Sequence, residues 1–162
     1  PSWSRGLGDV YKRQVQSYQM PKKINFQFLI SYLGLIPYVL TFLDKYYFLI
    51  VEEEVLLNFV IYYSLIIIVF IGSINWNLKN NPPTHIVVYG FLPSLFAVII
   101  IILTLLNLNI LIIFILIILL LLTQLFFDYI ILFANETNKQ AFYYLRLPLT
   151  ILIILFLLLI SL

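Results

Sequence analysis

The sequence has no cysteine, one histidine and few charged residues, and each scarcity removes a class of protein. Without cysteine the chain has no disulfide framework, iron–sulfur cluster or thiolate zinc site. The single histidine, His85, cannot supply two axial imidazoles to a haem, and the sequence predicts no metal or other cofactor. The net charge is only +2 and no basic stripe is present, which excludes nucleic acid as a partner.

Charged residues make up 10% of the 162 residues, whereas 64% are hydrophobic and the mean hydropathy is +1.10. A water-soluble domain carries about a quarter charged residues, so we predict an all-α integral membrane protein. A helix needs about 20 mainly apolar residues to cross a bilayer. Five stretches qualify, at about 24–43, 55–76, 86–106, 108–132 and 145–162. The expected fold is a polytopic bundle of five transmembrane helices, with a hairpin tip at Asn107–Asn109 between the third and fourth.

The basic residues predict how this bundle is oriented in the membrane. With five spans, five of them fall on the side of the N-terminus, namely Lys22, Lys23, Lys79, Lys139 and Arg146. Lys45 falls on the other side. Because basic residues concentrate in cytoplasmic loops, we expect the N-terminus inside and the C-terminus outside. The acidic run Glu52–Glu54 then lies outside.

The first residues differ in composition from the rest of the chain. Residues 9–14, Asp-Val-Tyr-Lys-Arg-Gln, match the in-frame translation of a transposase adapter used in sequencing libraries. We interpret residues 1–14 as a sequencing artefact without ordered structure, with a natural basic tail as the alternative. Residues 15–23 are then an N-terminal cytoplasmic segment in which Met20 is the expected start. Residues 24–162 form a single transmembrane domain.

Polar side chains within the predicted spans gather at their inner ends. Gln124 and Asp128 are four residues apart and share one helix face, and Arg146 opens the next span at a similar depth. Because ionisable groups in hydrocarbon are normally paired, we predict an ion pair between Asp128 and Arg146. The candidate cluster comprises Asn75, Trp76, Tyr89, Ser94, Gln124, Asp128 and Arg146. Two interpretations stay open: a salt bridge that fixes helix packing, or a polar pocket for a lipid headgroup, a proton or a small ligand.

Glycine and proline residues inside the spans are expected to shape the helices and their packing. Gly34, Gly72 and Gly90 permit close helix approach. Pro37 and Pro93 each remove a backbone hydrogen bond and are expected to bend a helix. These five positions are therefore predicted to act in helix packing and kinking.

The same features occur, in the same order, in a known family. The matching pieces are LGLIP at 33–37, FIGSINW at 70–76, PSL at 93–95, Gln124 with Asp128, and LRLPLT at 145–150. Together they resemble the domain of unknown function 3429 family, small bacterial and mitochondrial membrane proteins that include eukaryotic transmembrane protein 69. The resemblance implies a polytopic inner-membrane protein and brings no established activity. The family pattern often has histidine where this chain has Asn75, so a family role for imidazole does not transfer.

No set of catalytic residues is visible, and we expect that the chain is not an enzyme. The leading hypothesis is a non-enzymatic interaction or assembly module of a bacterial inner membrane. Its expected partners are the lipid bilayer and other membrane proteins, in an oligomeric state that the sequence does not define. The alternative is a small transporter or channel with a polar site near the inner leaflet, built around Asp128 and Arg146. A lipid-modifying enzyme is the third hypothesis.

Overall fold

The structure is a computed structural model that describes residues 26–73, 84–133 and 142–162. All regular structure in these three ranges is helical, and they contain no strand. The predicted segments 1–14 and 15–23, together with Asn75 and Trp76, lie outside them. The chain divides into two units, Pro1–Leu33 and Gly34–Leu162. In the first unit the structure describes helix α1, Phe26–Leu33.

The first predicted span, residues 24–43, is not one continuous helix. Helix α1 ends at Leu33, a turn follows at Gly34 and Leu35, and helix α2, Ile36–Leu43, begins after it. Pro37 lies in the first turn of α2, where a missing N–H group breaks no helical hydrogen bond. Proline therefore starts this helix and does not bend it. A π-helical segment, Asp44–Phe48, continues α2.

Long apolar helices occupy the other four predicted spans. They are α3, Glu53–Ser73; α4, Thr84–Leu105; α5, Ile110–Phe133; and α6, Leu147–Ser161, which directly follows the π-helical segment Phe142–Arg146. Counted with that segment, four helices in the described residues are long and apolar enough to cross a membrane. The predicted class, an all-α membrane protein with several spans, is confirmed.

The reversal between α4 and α5 lies at the predicted hairpin tip. Asn107 has a left-handed backbone, with a φ of 58°, a conformation that asparagine adopts more readily than most residues. The side chain of Asn109 then caps α5, because its Oδ1 accepts a hydrogen bond from Leu111 N–H at 2.9 Å. Two asparagines thus turn an otherwise apolar run back across the membrane.

The core of the second unit combines side chains from five helices, α2 to α6. Isoleucine and leucine dominate it, with Tyr38 and Phe114 among the largest buried side chains. The hydroxyl groups of Tyr38 and Ser64 are 2.8 Å apart and hydrogen-bonded inside this core. Because lipid tails are as apolar as leucine, close packing and such polar contacts select which helix faces meet.

Candidate functional site

The carboxylate of Asp128 is the centre of a polar cluster near the end of α5. Arg146 Nε donates a hydrogen bond to Oδ2 and forms an ion pair with it. The Tyr89 hydroxyl donates to Oδ1 at 2.9 Å. The Asp128 side chain is 8% exposed and that of Arg146 is 18% exposed. The structure therefore brings the predicted partners together, and both carboxylate oxygens have a donor.

Two helices and one π-helical segment place these groups at a common depth. Asp128 lies in α5 and Tyr89 in the second turn of α4, which packs against α5. Arg146 ends the π-helical segment, and its backbone oxygen accepts a hydrogen bond from the Thr150 hydroxyl at 2.9 Å. The wider π-helical turn leads directly into α6 and so places the guanidinium group beside α5.

Gln124, one turn before Asp128, joins the cluster to α3. Its Nε2 donates to the backbone oxygen of Ile68 at 2.9 Å, and its own backbone oxygen lies 3.1 Å from the Tyr89 hydroxyl. Gln124 is 2% exposed, and its Oε1 has no hydrogen-bond partner among the described residues. Tyr89, Gln124, Asp128 and Arg146 thus connect α3, α4, α5 and α6, and we call these four residues the Asp128 cluster.

Ser94, another residue of the predicted cluster, does not join this group in the structure. The Ser94 hydroxyl donates to the Phe91 oxygen of its own helix at 2.6 Å. Five residues separate Ser94 from Tyr89, and at about 3.6 residues per turn they point to different faces of α4. Asn75 and Trp76 lie outside the described residues. His85 is exposed in the first turn of α4, and no group of three metal-binding side chains forms within the described ranges.

Sequence reasoning missed two contacts that complete the site. The ring of Phe127 packs against that of Tyr89, with centroids 5.1 Å apart, and the Ile68 carbonyl accepts from Gln124. Phe127 directly precedes Asp128, so its position in the sequence could have indicated that it lies near the cluster. The contact with the Ile68 carbonyl could not be found in this way, because a backbone group is the same at every residue.

The glycines and prolines that flank the cluster have different roles. A Cβ atom at Gly72 would lie 2.8 Å from Pro93 Cγ and 3.1 Å from the Gly90 oxygen, so α3 and α4 meet closely here. Pro93 is buried, and α4 continues through it. Gly34 lies in the turn before α2, where its oxygen accepts a hydrogen bond from the Tyr63 hydroxyl at 2.8 Å.

A family model described as "Protein of unknown function (DUF3429)" matches residues 25–162. The chain belongs to this family. No curated protein and no solved structure matches the chain. Membership confirms the resemblance seen in the sequence and assigns no activity to the DUF3429 chain.

A groove of about 480 Å³ runs between α4 and α5 of the DUF3429 chain, beside the cluster. Tyr89 and Gln124 lie at one end of it, and Leu103 and Leu116 lie towards the other. As far as the described residues form its lining, only Tyr89, Gln124 and Thr123 contribute polar groups, and none is charged. The groove is therefore suited to hydrocarbon and does not extend the charged site across the membrane.

The geometry limits what the Asp128 cluster can do chemically. A carboxylate with a guanidinium group on one oxygen and a phenol on the other can hold three helices together. Each oxygen keeps a second lone pair, but the side chain is only 8% exposed, so another molecule has little access to it. The contacts therefore suit a structural ion pair better than a reacting group.

Proposed function

We propose that the chain is a non-enzymatic interaction or assembly module of a bacterial or mitochondrial inner membrane. One observation carries the proposal: both oxygens of Asp128 are bound inside the bundle, by Tyr89 and Arg146. A catalytic carboxylate has to reach a substrate atom within hydrogen-bonding distance. The 8% exposure of this side chain supports a role in holding helices instead.

With Tyr89, Asp128 and Arg146 bound to one another, the surface that the described helices offer to other molecules is mainly apolar. Large side chains such as Ile66, Phe70 and Phe126 are exposed on α3 and α5. Lipid covers such a surface by default, and another membrane helix displaces lipid where it packs better. Assembly with a second membrane protein is therefore the activity that this surface supports.

The transporter hypothesis receives less support from the same geometry. A conduction path needs polar groups or a wetted constriction at successive depths of the membrane. The buried side chains along the middle of α5 are instead apolar: Ile113, Ile117 and Leu121. Along α5, the polar site therefore ends partway across.

Site-specific cross-linking in native membranes tests the assembly role. A photoreactive amino acid is introduced separately at three exposed positions, Phe70 on α3, Leu119 on α5 and Leu155 on α6. We expect one defined protein to be cross-linked from one face and not from the others. Purification of that protein should recover the chain in return. A chain that is monomeric at its natural abundance and cross-links only to lipid from every face contradicts the proposal.

A further inference from the structure

The end of the bundle opposite the Asp128 cluster is closed by two apolar loops. We call residues 47–51 (YFLIV) the first loop, which includes the end of the π-helical segment and the connection towards α3. The second loop is residues 105–108 (LLNL), which include the last residue of α4 and the connection towards α5. Their apolar side chains are all exposed, from Leu108 at 38% to Ile50 at 79%. Apolar side chains gathered in this way at one surface mark a contact with something other than water.

The backbone of the first loop is hydrogen-bonded by a single residue, Asp44. Leu49 N–H donates to the Asp44 backbone oxygen at 2.7 Å. Val51 N–H donates to Oδ2 at 3.0 Å, and Ile50 N–H makes a longer contact with Oδ1 at 3.4 Å. Asp44 itself is 9% exposed. Three successive N–H groups therefore have a partner within the protein.

The second loop pairs its N–H groups without a charged residue. Those of Leu106, Asn107 and Leu108 donate to carbonyl oxygens in the last turn of α4 at 3.0–3.1 Å. The Asn109 side chain then caps the start of α5. Both loops thus combine exposed apolar side chains with internally bound N–H groups.

This combination indicates an apolar environment. In water an N–H group finds a solvent partner, whereas in hydrocarbon an unpaired one costs several kcal/mol, as a rough figure. Internal pairing of six N–H groups is therefore a requirement only where water is scarce. Helix ends in water pair such N–H groups too, so the pairing allows the loops to enter lipid, and the exposed leucine and isoleucine side chains are what favours it.

Two polar side chains before the first loop, Lys45 and Tyr46, point towards the bundle. Lys45 Nζ lies 3.2 Å from Glu53 Oε1 and donates to the Ile160 oxygen at 2.7 Å. The Tyr46 hydroxyl donates to the Leu159 oxygen at 2.7 Å. Both polar groups therefore point to the last turn of α6, which leaves the apolar side chains of the first loop as its outer surface.

We propose that both loops lie within the lipid leaflet, where hydrocarbon meets the headgroups. Helices α3, α4 and α5 contain 21, 22 and 24 residues, so at about 1.5 Å per residue they are about 32–36 Å long. A hydrocarbon core is about 30 Å thick, which places loops at these helix ends beside the headgroups. Asp44 is the positioning residue that lets the first loop enter lipid. The inference does not depend on the proposed assembly role.

Cysteine accessibility tests the proposal directly, because the chain has no cysteine of its own. The single-cysteine variants I50C and L106C are placed in liposomes of one synthetic phosphatidylcholine, at less than one chain per vesicle. A membrane-impermeant maleimide is then added. E54C, an exposed position at the same end of the bundle, is the matched control and corrects for mixed orientation. We expect I50C and L106C to react about tenfold more slowly than E54C, or slower still.

A second pair of variants tests the role of Asp44. Asp44→Ala in the I50C background removes both side-chain acceptors of the loop N–H groups. We expect its maleimide rate to rise to within about twofold of that of E54C, because the unpaired N–H groups draw the loop into water. Asp44→Ala in the L106C background should leave the second loop protected, which shows that the bundle is intact.

Three outcomes would overturn the inference in part or as a whole. Equal maleimide rates for I50C, L106C and E54C in liposomes place both loops in water. Protection in native membranes with full reactivity in liposomes assigns the loops to a protein partner instead of lipid. Protection of I50C that persists with Asp44→Ala removes the role given to Asp44. The comparison of I50C and L106C with E54C decides the lipid contact even if the Asp44 variants do not fold.

Discussion

At the scale of single residues, the stability of the bundle depends most on the ion pair of Asp128 with Arg146. Asp128→Ala leaves the Arg146 guanidinium largely buried without its partner. Breaking a buried pair in this way destabilises a protein by about 3–5 kcal/mol. Unfolding in mixed micelles of increasing denaturing-detergent content measures the loss. Tyr89→Phe, which removes one neutral donor to the carboxylate, should lose less, about 1.5–3 kcal/mol.

Exchange of the two charges separates pairing from other effects. The D128R and R146D single variants each bring like charges together, while D128R/R146D restores opposite charges. We expect the double variant to be more stable than either single variant. If it inserts and folds no better than they do, the two residues do not stabilise each other.

Gly72 is the residue at which the closest helix approach can be tested. Gly72→Ala adds a Cβ atom only 2.8 Å from Pro93 Cγ, so α3 and α4 have to move apart. Overpacking of this kind destabilises by about 1–3 kcal/mol. Ser73→Ala at the neighbouring exposed position is the control and should change stability by less than about 0.5 kcal/mol. Equal stability of the two variants would show that the α3–α4 contact is adjustable.

Part of this site could be predicted from residues alone. Gln124 and Asp128 share a face because they are four apart, and Arg146 is the nearest opposite charge at that depth. Ser94 was grouped with Tyr89 by depth, although the helical turn between them puts it on another face. The Ile68 carbonyl could not be predicted, since every residue has one and only packing selects which is used.

At the scale of elements, the lengths of the long helices could be predicted from the sequence, whereas the face that each one buries could not. The rule of about 20 apolar residues located α3 to α6, and Asn107 marked the reversal between α4 and α5. The break at Gly34 was not predicted, because hydropathy stays high through LGLIP. Leucine and isoleucine occupy nearly every position of residues 110–122, so this stretch has no apolar stripe that could indicate its buried side.

The segment after α2 fixes the end of α6, and this contact gives an element-scale prediction. Lys45 donates to the Ile160 oxygen. Its positive charge there stabilises α6, because the C-terminal end of a helix dipole is negative. Lys45→Met should weaken this end by about 0.3–2 kcal/mol. Hydrogen–deuterium exchange should become faster in the last turn of α6 and stay unchanged near Ile153, which is buried in its middle.

Lys45→Arg is the matched control for this contact, since it keeps both the charge and the donor. Exchange in the last turn should then remain close to that of the original protein. Equal acceleration in Lys45→Met and Lys45→Arg would show that the shape of the lysine side chain matters and its charge does not. No change in Lys45→Met would show that Tyr46 holds the end of α6 alone.

At the scale of the whole molecule, the predicted orientation depends on where a few charges lie. The helix ends near residues 44–53 and 105–110 are on one side of the bundle, with Lys45 paired to Glu53. By sequence, more basic residues are expected on the opposite side, so the positive-inside rule predicts that the Glu52–Glu54 end lies outside. In intact bacterial cells, an impermeant maleimide should therefore label E54C and not K139C. Permeabilised cells should show labelling of both, and labelling of K139C alone before permeabilisation would reverse the orientation.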